Sequence, residues 1–365
     1  MVSRETVVWA YRLILGREPE NDAVIAAHSR AEDIQTLRRV LLNSEEFARW
    51  SVRERPINYT ALTGDPPVPA ILPIGKMEGS RICRQADLCT DAFRYWMWRM
   101  RMKPAMHRKL WEWFFIADAL FQRNCLEAGQ RGIGFGVGGE PLTALFASNG
   151  CDVLATDLSA DQQAAAGWIK SGQHARDLAF LRKPEVCDDE MFTARVRFLA
   201  LDMNDIPTNL DGQFDFCWSS CALEHLGSLE QGWRFVERAM ALLKTGGIAV
   251  HTTEYNMQSN VDTLETPMLS LYRRCDVESL AARLETAGNT LEPVNWERGL
   301  GYADGYVDLP PFSRTQLHLR LKIASYTCTS LGLVIRKGSA ASPRPGGEAG
   351  RAEIPHRGVT GSVSN

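Results

Sequence analysis

Apolar positions over residues 1 to 50 recur at the spacing of one helical face: Val7, Val8, Tyr11 and Leu15, then Leu37, Val40, Leu41 and Phe47. The pattern predicts a small all-α module. Gly16 is expected to end its first helix, Glu18 with Pro19 to open the second, and Ser44 to cap the start of EEFARW. Over residues 51–90 the periodicity breaks in a Pro/Gly-rich stretch, PINYTALTGDPPVPAILPIG, which reads as a linker or a strap lying on the next domain. Helical spacing returns in AFRYWMWRM and HRKLWEWFFIADALFQRN.

From residue 125 onward the pattern alternates. Strand-like runs fall at 131–136, 152–157, 196–201, 214–220 and 248–254, separated by helical or Gly-rich segments, and runs at 290–297 and 326–337 supply two more. Strands alternating with helices predict an α/β fold with a doubly wound, mostly parallel, seven-stranded Rossmann-like sheet occupying residues 91–338. The tail, residues 339–365, lacks aromatics and almost all large aliphatics, so it is expected to be disordered.

Composition narrows the classes. With 45% hydrophobic and 23% charged residues the chain reads as an ordinary globular protein, and a net charge of -3 gives no bulk reason to expect nucleic acid or an anionic membrane as partner. Nine cysteines without a CxxC pair read as reduced thiols in a cytoplasmic protein. No apolar run is long enough for a transmembrane segment, and Arg12 interrupts the apolar start, so a secretory signal is not expected.

The chemistry begins in RGIGFGVGGEPLTALF. Glycines cluster just after a strand and just before a helix, where the backbone turns sharply and its amides can face an anionic ligand. Gly134, Gly136 and Gly139 match GxGxxG, and Asp157 ends the next strand where an acid can hold ribose hydroxyls. On these residues alone a dinucleotide and an adenosine-type cofactor both remain open. An NAD(P)-dependent oxidoreductase is the alternative reading, although no Tyr-x-x-x-Lys pair is evident.

Further along come LALDMND, SSCALEHLG, a long helix, the turn KTGG at 244–247 and the strand IAVHTTE. The whole succession resembles the class I methyltransferases that use S-adenosylmethionine. That resemblance implies Gly134, Gly136 and Gly138 as the loop beside the cofactor's methionine part, Asp157 as the ribose ligand, and Asp202 with Met203 as the adenine pair. The family often carries an acid two residues before the first loop glycine. Here a glycine stands at that position, and Glu140 is the candidate to meet the cofactor's ammonium group, against a reading in which it only opposes a helix dipole. Ser219 is a further candidate to line the cofactor. The ends YRLILGREPE and LLNSEEFARW resemble a short bacterial linker-type module of unknown function found on glycan-related proteins, which implies a protein partner for residues 1–50.

Catalytic candidates are sought beyond the carboxyl ends of the fourth and fifth strands, where open α/β sheets bind ligands. His225 in ALEHLG has an intrinsic basicity suited to proton abstraction, and Glu254 stands at the strand-five rim as an acceptor-positioning carboxylate. His251 is read as a strand residue facing away from Glu254, and the aromatics of HRKLWEWFF as packing on the sheet. No metal site is expected, since no His/Cys/Asp/Glu group shows ligand spacing, and a GxSxG elbow and a P-loop are both absent. The expected activity is methyl transfer to an oxygen, or less favourably a nitrogen, of a small molecule or saccharide.

Overall fold

A computed structural model describes residues 1–15, 17–47, 79–159, 175, 177–312 and 317–338. In the N-terminal module, helix Arg4–Ala10 runs into a π-helical turn, Tyr11–Leu15, and helices Asp22–His28 and Ile34–Leu42 follow. Ser3, Asn21 and Asp33 each cap a helix by accepting an amide of its first turn, a donor that the helix itself leaves unpaired. The second helix therefore starts at Asp22, beside the side chain able to cap it, and not at Pro19. Ser44 accepts the Phe47 amide at 3.0 Å, as expected of a cap. Val7, Tyr11, Leu15, Ile25, Leu37 and Leu41 form the module's core, whereas Val40 faces solvent. The expectations for Gly16, for most of the Pro/Gly-rich stretch and for the tail lie outside the described residues.

The strands are β1 (Arg81–Ile82), β2 (Arg131–Phe135), β3 (Asp152–Asp157), β4 (Val196–Ala200), β5 (Phe214–Ser220), β6 (Leu243–Asn256), β7 (Glu265–Thr266), β8 (Leu269–Ser270), β9 (Thr290–Leu291), β10 (Val307–Asp308), β11 (Arg320–Ile323) and β12 (Tyr326–Arg336). One sheet takes the order β10-β11-β12-β6-β5-β2-β3-β4, with β1 and β9 added against β12, and β7 with β8 forms a separate hairpin. The five strands β4-β3-β2-β5-β6 are parallel, and β12 enters antiparallel beside β6. Helix Arg108–Phe121 covers one face, where Phe115 fills the space over Gly332. Helix Leu229–Leu242 covers the other, with Phe235 against Phe135 and His251.

The mostly parallel doubly wound sheet agrees with the sequence pattern, but it has ten strands where seven were expected, because short strands add at the β12 side, and three further details differ. The run 290–297 contributes only the two-residue β9, and the strand beside β12 is β11, whose buried Arg320 breaks the apolar signal and is paired with Asp304 at 3.1 Å. KTGG is no separate turn: β6 runs through it with a register shift opposite Phe214 and Phe216, and Gly246 at φ +82 takes the left-handed conformation that the irregularity needs. Residues 79–90, expected as part of a linker or strap, are packed into the domain. There β1 pairs with β12, and buried Asp87 receives Arg81, Arg84 and the Trp111 indole N–H.

The module is also joined to this domain. Arg38 Nη1 donates to the carbonyl oxygens of Leu309 at 2.6 Å and Pro310 at 3.0 Å, and its guanidinium lies 3.7 Å from the buried carboxylate of Asp308 in β10.

Candidate active site

The strand order reverses at β2, which has β3 on one side and β5 on the other, so the carboxyl ends of β2 and β5 open a crevice. The glycine loop leaves β2 there. Gly136 at φ +56 and Gly138 at φ +48 adopt conformations that L side chains rarely take. A Cβ on Gly136 would stand 3.0 Å from Ala222 Cβ and 3.6 Å from Met203 Sδ, which seats Met203 under the loop. Gly134 has another reason to be glycine: a Cβ there would stand 2.3 Å from the Trp218 ring. The Trp218 indole N–H in turn donates to Glu140 Oε1 at 2.6 Å, and burial pushes the Glu140 carboxyl up to about 8.

Asp157 is buried at the end of β3. Its Oδ2 accepts the amides of Gly138 at 3.1 Å and Ala175 at 3.0 Å, and Oδ1 that of Leu158 at 2.9 Å. The carboxylate thus pins the glycine loop at the point where a ribose ligand was expected. Asp202 accepts the Asn204 amide at 2.8 Å in the turn after β4, beside Met203. The Ser219 hydroxyl is 2.8 Å from His251 Nδ1, inside the sheet, on the side away from Trp218. Burial holds His251 well below the usual imidazole range, at about 3, so it is a neutral packing group as its strand position suggested. His225 lies in the short turn Leu223–His225, and its Nδ1 is 2.7 Å from the Met268 carbonyl oxygen. A carbonyl only accepts, so Nδ1 carries the proton in the neutral ring and Nε2 is the acceptor nitrogen.

Glu254 stands within β6 on the face of helix Arg108–Phe121 and meets charges that the sequence pattern did not bring together. Arg108 Nη1 lies 3.1 Å from Glu112 Oε1 and 3.1 Å from Ser330 Oγ, and Nη2 pairs with Glu254 Oε1. Lys109 Nζ reaches Glu112 Oε2 at 2.6 Å, and Ser220 donates to the same oxygen at 3.3 Å. Glu224, from the turn after β5, accepts from Thr253 Oγ1 at 3.1 Å. Two cations thus face three buried carboxylates. Burial works to raise Glu112, but Lys109 and Arg108 outweigh it and hold the carboxyl at about 2. In Glu254 burial prevails over Arg108, with Glu224 and Glu112 adding to it, and the carboxyl rises to about 7. The legible signal for this cluster was Arg108 and Glu112, charges four apart within the otherwise aromatic run RKLWEWFF. The aromatics themselves pack, as expected: Trp111 stacks on Phe115 with ring centres 5.0 Å apart.

Residues 133–251 match the family model described as a methyltransferase domain. That segment is similar to methyltransferase domains. The matched segment runs from β2 into β6 and takes in the glycine loop, Asp157, Asp202 and the turn after β5. No curated protein sequence matches the chain. Among solved structures, the chain is similar to the 1,6-didemethyltoxoflavin-N1-methyltransferase of Burkholderia thailandensis, at 16% identity over 58% of this chain and 72% of that one, with a TM-score of 0.33. It is also similar to an S-adenosylmethionine-dependent methyltransferase from Aquifex aeolicus, at 14% identity over 60% and 88%, TM-score 0.33. A third is the CurJ carbon methyltransferase, at 15% identity over 64% and 54%, TM-score 0.37. These likenesses concern the fold.

The match to a methyltransferase domain is consistent with an S-adenosylmethionine cofactor. The crevice fits that group: two left-handed glycines turn the loop sharply at its mouth, Met203 offers an apolar surface under the loop, and Thr143 Oγ1, just after the loop, is buried with no hydrogen-bond partner among the described residues. The family match over residues 133–251 favours S-adenosylmethionine over the nicotinamide alternative raised by GxGxxG.

Proposed function

We propose that the methyltransferase moves a methyl group to an oxygen, less favourably a nitrogen, of a small molecule or saccharide held in the charged chamber of Arg108, Glu112, Glu224 and Glu254. When bound, S-adenosylmethionine supplies a methyl group on a positively charged sulfur that is already a good leaving group. The chain's own task is then alignment and exclusion of water. In this reading Gly136 and Gly138 shape the cradle, Asp157 holds the loop and the ribose side, Met203 with Asp202 bounds the adenine, and Glu140 faces the ammonium group. Glu254 positions the acceptor, with Arg108 fixing its carboxylate, and His225 stands at the rim as the candidate base.

The observation that carries the reading is the buried pairing of Arg108 with Glu254 at the carboxyl edge of β6, next to the crevice of the family-matched segment. A chamber of fixed charges and hydroxyls suits an acceptor rich in hydrogen-bonding groups better than a hydrocarbon. The preference for a saccharide and the protein partner of the N-terminal module rest on the resemblance of residues 1–50. The test is incubation with S-adenosylmethionine carrying an isotopically labelled methyl group and panels of hydroxylated, amino and saccharide acceptors, followed by mass spectrometry. Label in a methyl ether or ester supports the reading. Label found only on carbon would overturn it.

A further inference from the structure

Cys221, Glu224 and Glu254 come from two elements, the turn after β5 and strand β6, yet Cys221 Sγ and one carboxylate oxygen from each glutamate all lie within 4.8 Å of one another. Glu224 is 1% exposed and Glu254 5%. In each, one oxygen is already engaged, Glu254 Oε1 by Arg108 and Glu224 Oε2 by Thr253. The other two, Glu254 Oε2 and Glu224 Oε1, are buried with no hydrogen-bond partner among the described residues. Buried polar atoms are almost always satisfied, and a cation placed between these two carboxylate oxygens would satisfy both.

Backbone geometry fixes where Cys221 stands. The residue is held at φ +47, a left-handed conformation unfavourable for a side chain with a Cβ, and its amide is tied to Thr252 O at 3.0 Å and Thr252 Oγ1 at 3.1 Å. Strain of this kind persists where surrounding contacts impose it, and it clusters at ligand sites. The turn brings Sγ to 3.8 Å from Arg108 Nη1, inside the charged chamber.

We propose that Cys221, Glu224 and Glu254 bind one divalent cation of the zinc class. A sulfur ligand with two carboxylates favours zinc over magnesium or calcium, which take oxygen alone. The charges close: one thiolate and two carboxylates sum to three negative charges, and a divalent ion with the Arg108 guanidinium to three positive. Zinc bonds of about 2.3 Å to sulfur and about 2.0–2.2 Å to oxygen require the three atoms to draw together by side-chain rotation. Three protein ligands leave one further tetrahedral position for a small ligand. The site shares Glu254 with the acceptor reading, but it stands on the side-chain cluster and not on the identity of the acceptor.

The test is equilibrium dialysis of the chelator-stripped full chain against zinc alone, with metal counted by mass spectrometry, on the parent, Cys221→Ser and Glu224→Gln. One zinc per parent chain is expected, with affinity about 100-fold lower or worse in each variant. Cobalt substituted into the parent is expected to show a thiolate charge-transfer absorption that Cys221→Ser lacks. Thermal melts without metal check that both variants are folded. Absence of stoichiometric zinc in the parent, equal zinc in parent and variants, or cobalt binding without the thiolate band would each overturn the proposal. Titration of the parent with S-adenosylhomocysteine is a separate arm: cofactor binding without zinc removes the metal site alone, and zinc without cofactor binding removes the methyltransferase reading alone.

Discussion

Trp218 donates its indole N–H to Glu140 across the back of the glycine loop, and the same ring occupies the space that a side chain at position 134 would need. One residue of β5 thus sets both the loop's entry and the place of its only acid. The relation makes Glu140 a group whose charge depends on what binds beside it.

Glu140 is expected to impart a pH dependence to cofactor affinity. With its carboxyl pushed up to about 8 by burial, it is mostly neutral at pH 7, and an ammonium group placed next to it favours the ionised form. Binding of S-adenosylhomocysteine should then release a proton, and affinity should rise as pH is raised from 6 towards 8, by at most about tenfold per unit. Calorimetry in buffers of different ionisation enthalpy measures the proton directly. Glu140→Gln should bind more weakly at pH 8 and show a flat profile; an unchanged profile would remove Glu140 from the ammonium contact.

Asp157→Ala removes the acceptor of three backbone amides, two of them from chain segments flanking the crevice. Hydrogen bonds to a charged group contribute about 1.5 to 3 kcal/mol each, so a loss of S-adenosylhomocysteine affinity on the order of 100-fold is expected together with a lower melting temperature. Parent-like affinity in a folded variant would contradict the role given to this acid.

Gly134→Ala tests the packing account of the first loop glycine. A Cβ 2.3 Å from the Trp218 ring forces that ring to move, at a cost of about 1–3 kcal/mol or more. The variant should melt lower than the parent and, through the displaced indole, lose part of its cofactor affinity. Trp218→Phe should restore part of the stability without restoring the bond to Glu140.

Arg38 ties the helical module to the catalytic domain, and the buried carboxylate it faces is also 2.8 Å from His318 Nδ1. Removing residues 1–47 leaves Asp308 with His318 but without the guanidinium. Breaking a buried pair from one side costs about 3–5 kcal/mol, so both the truncation and Arg38→Ala are expected to lower the melting temperature markedly. Asp308→Asn in the Arg38→Ala background should recover part of the loss. Additive effects of the two substitutions would show that the pair does not couple the parts.

What the sequence revealed follows from the range of its signals. The strand–glycine-turn–helix passage, the place of Asp157 at the end of β3 and of Met203 after β4, and the five parallel strands were legible because each rests on local periodicity or on turn chemistry within a few residues. The charged chamber was not, because Arg108, Glu224 and Glu254 are far apart in the chain and meet only when helix Arg108–Phe121 lies across β5 and β6. The strand Arg320–Ile323 was missed for a related reason: its buried arginine is paired with Asp304 and Thr329, partners that the fold and not the local pattern brings to it. The composition of residues 51–90 suggested a linker or a strap without showing where it attaches, and Asp87 is held by Trp111 from the helix that carries the chamber.

The central claim is that the crevice between β2 and β5 binds S-adenosylmethionine and not a nicotinamide cofactor. Calorimetric titration of the full chain with S-adenosylhomocysteine, and separately with NADH, tests it most directly. Saturable binding of one S-adenosylhomocysteine per chain with no heat from NADH is the expected result. Tight NADH binding with none of S-adenosylhomocysteine would contradict the account.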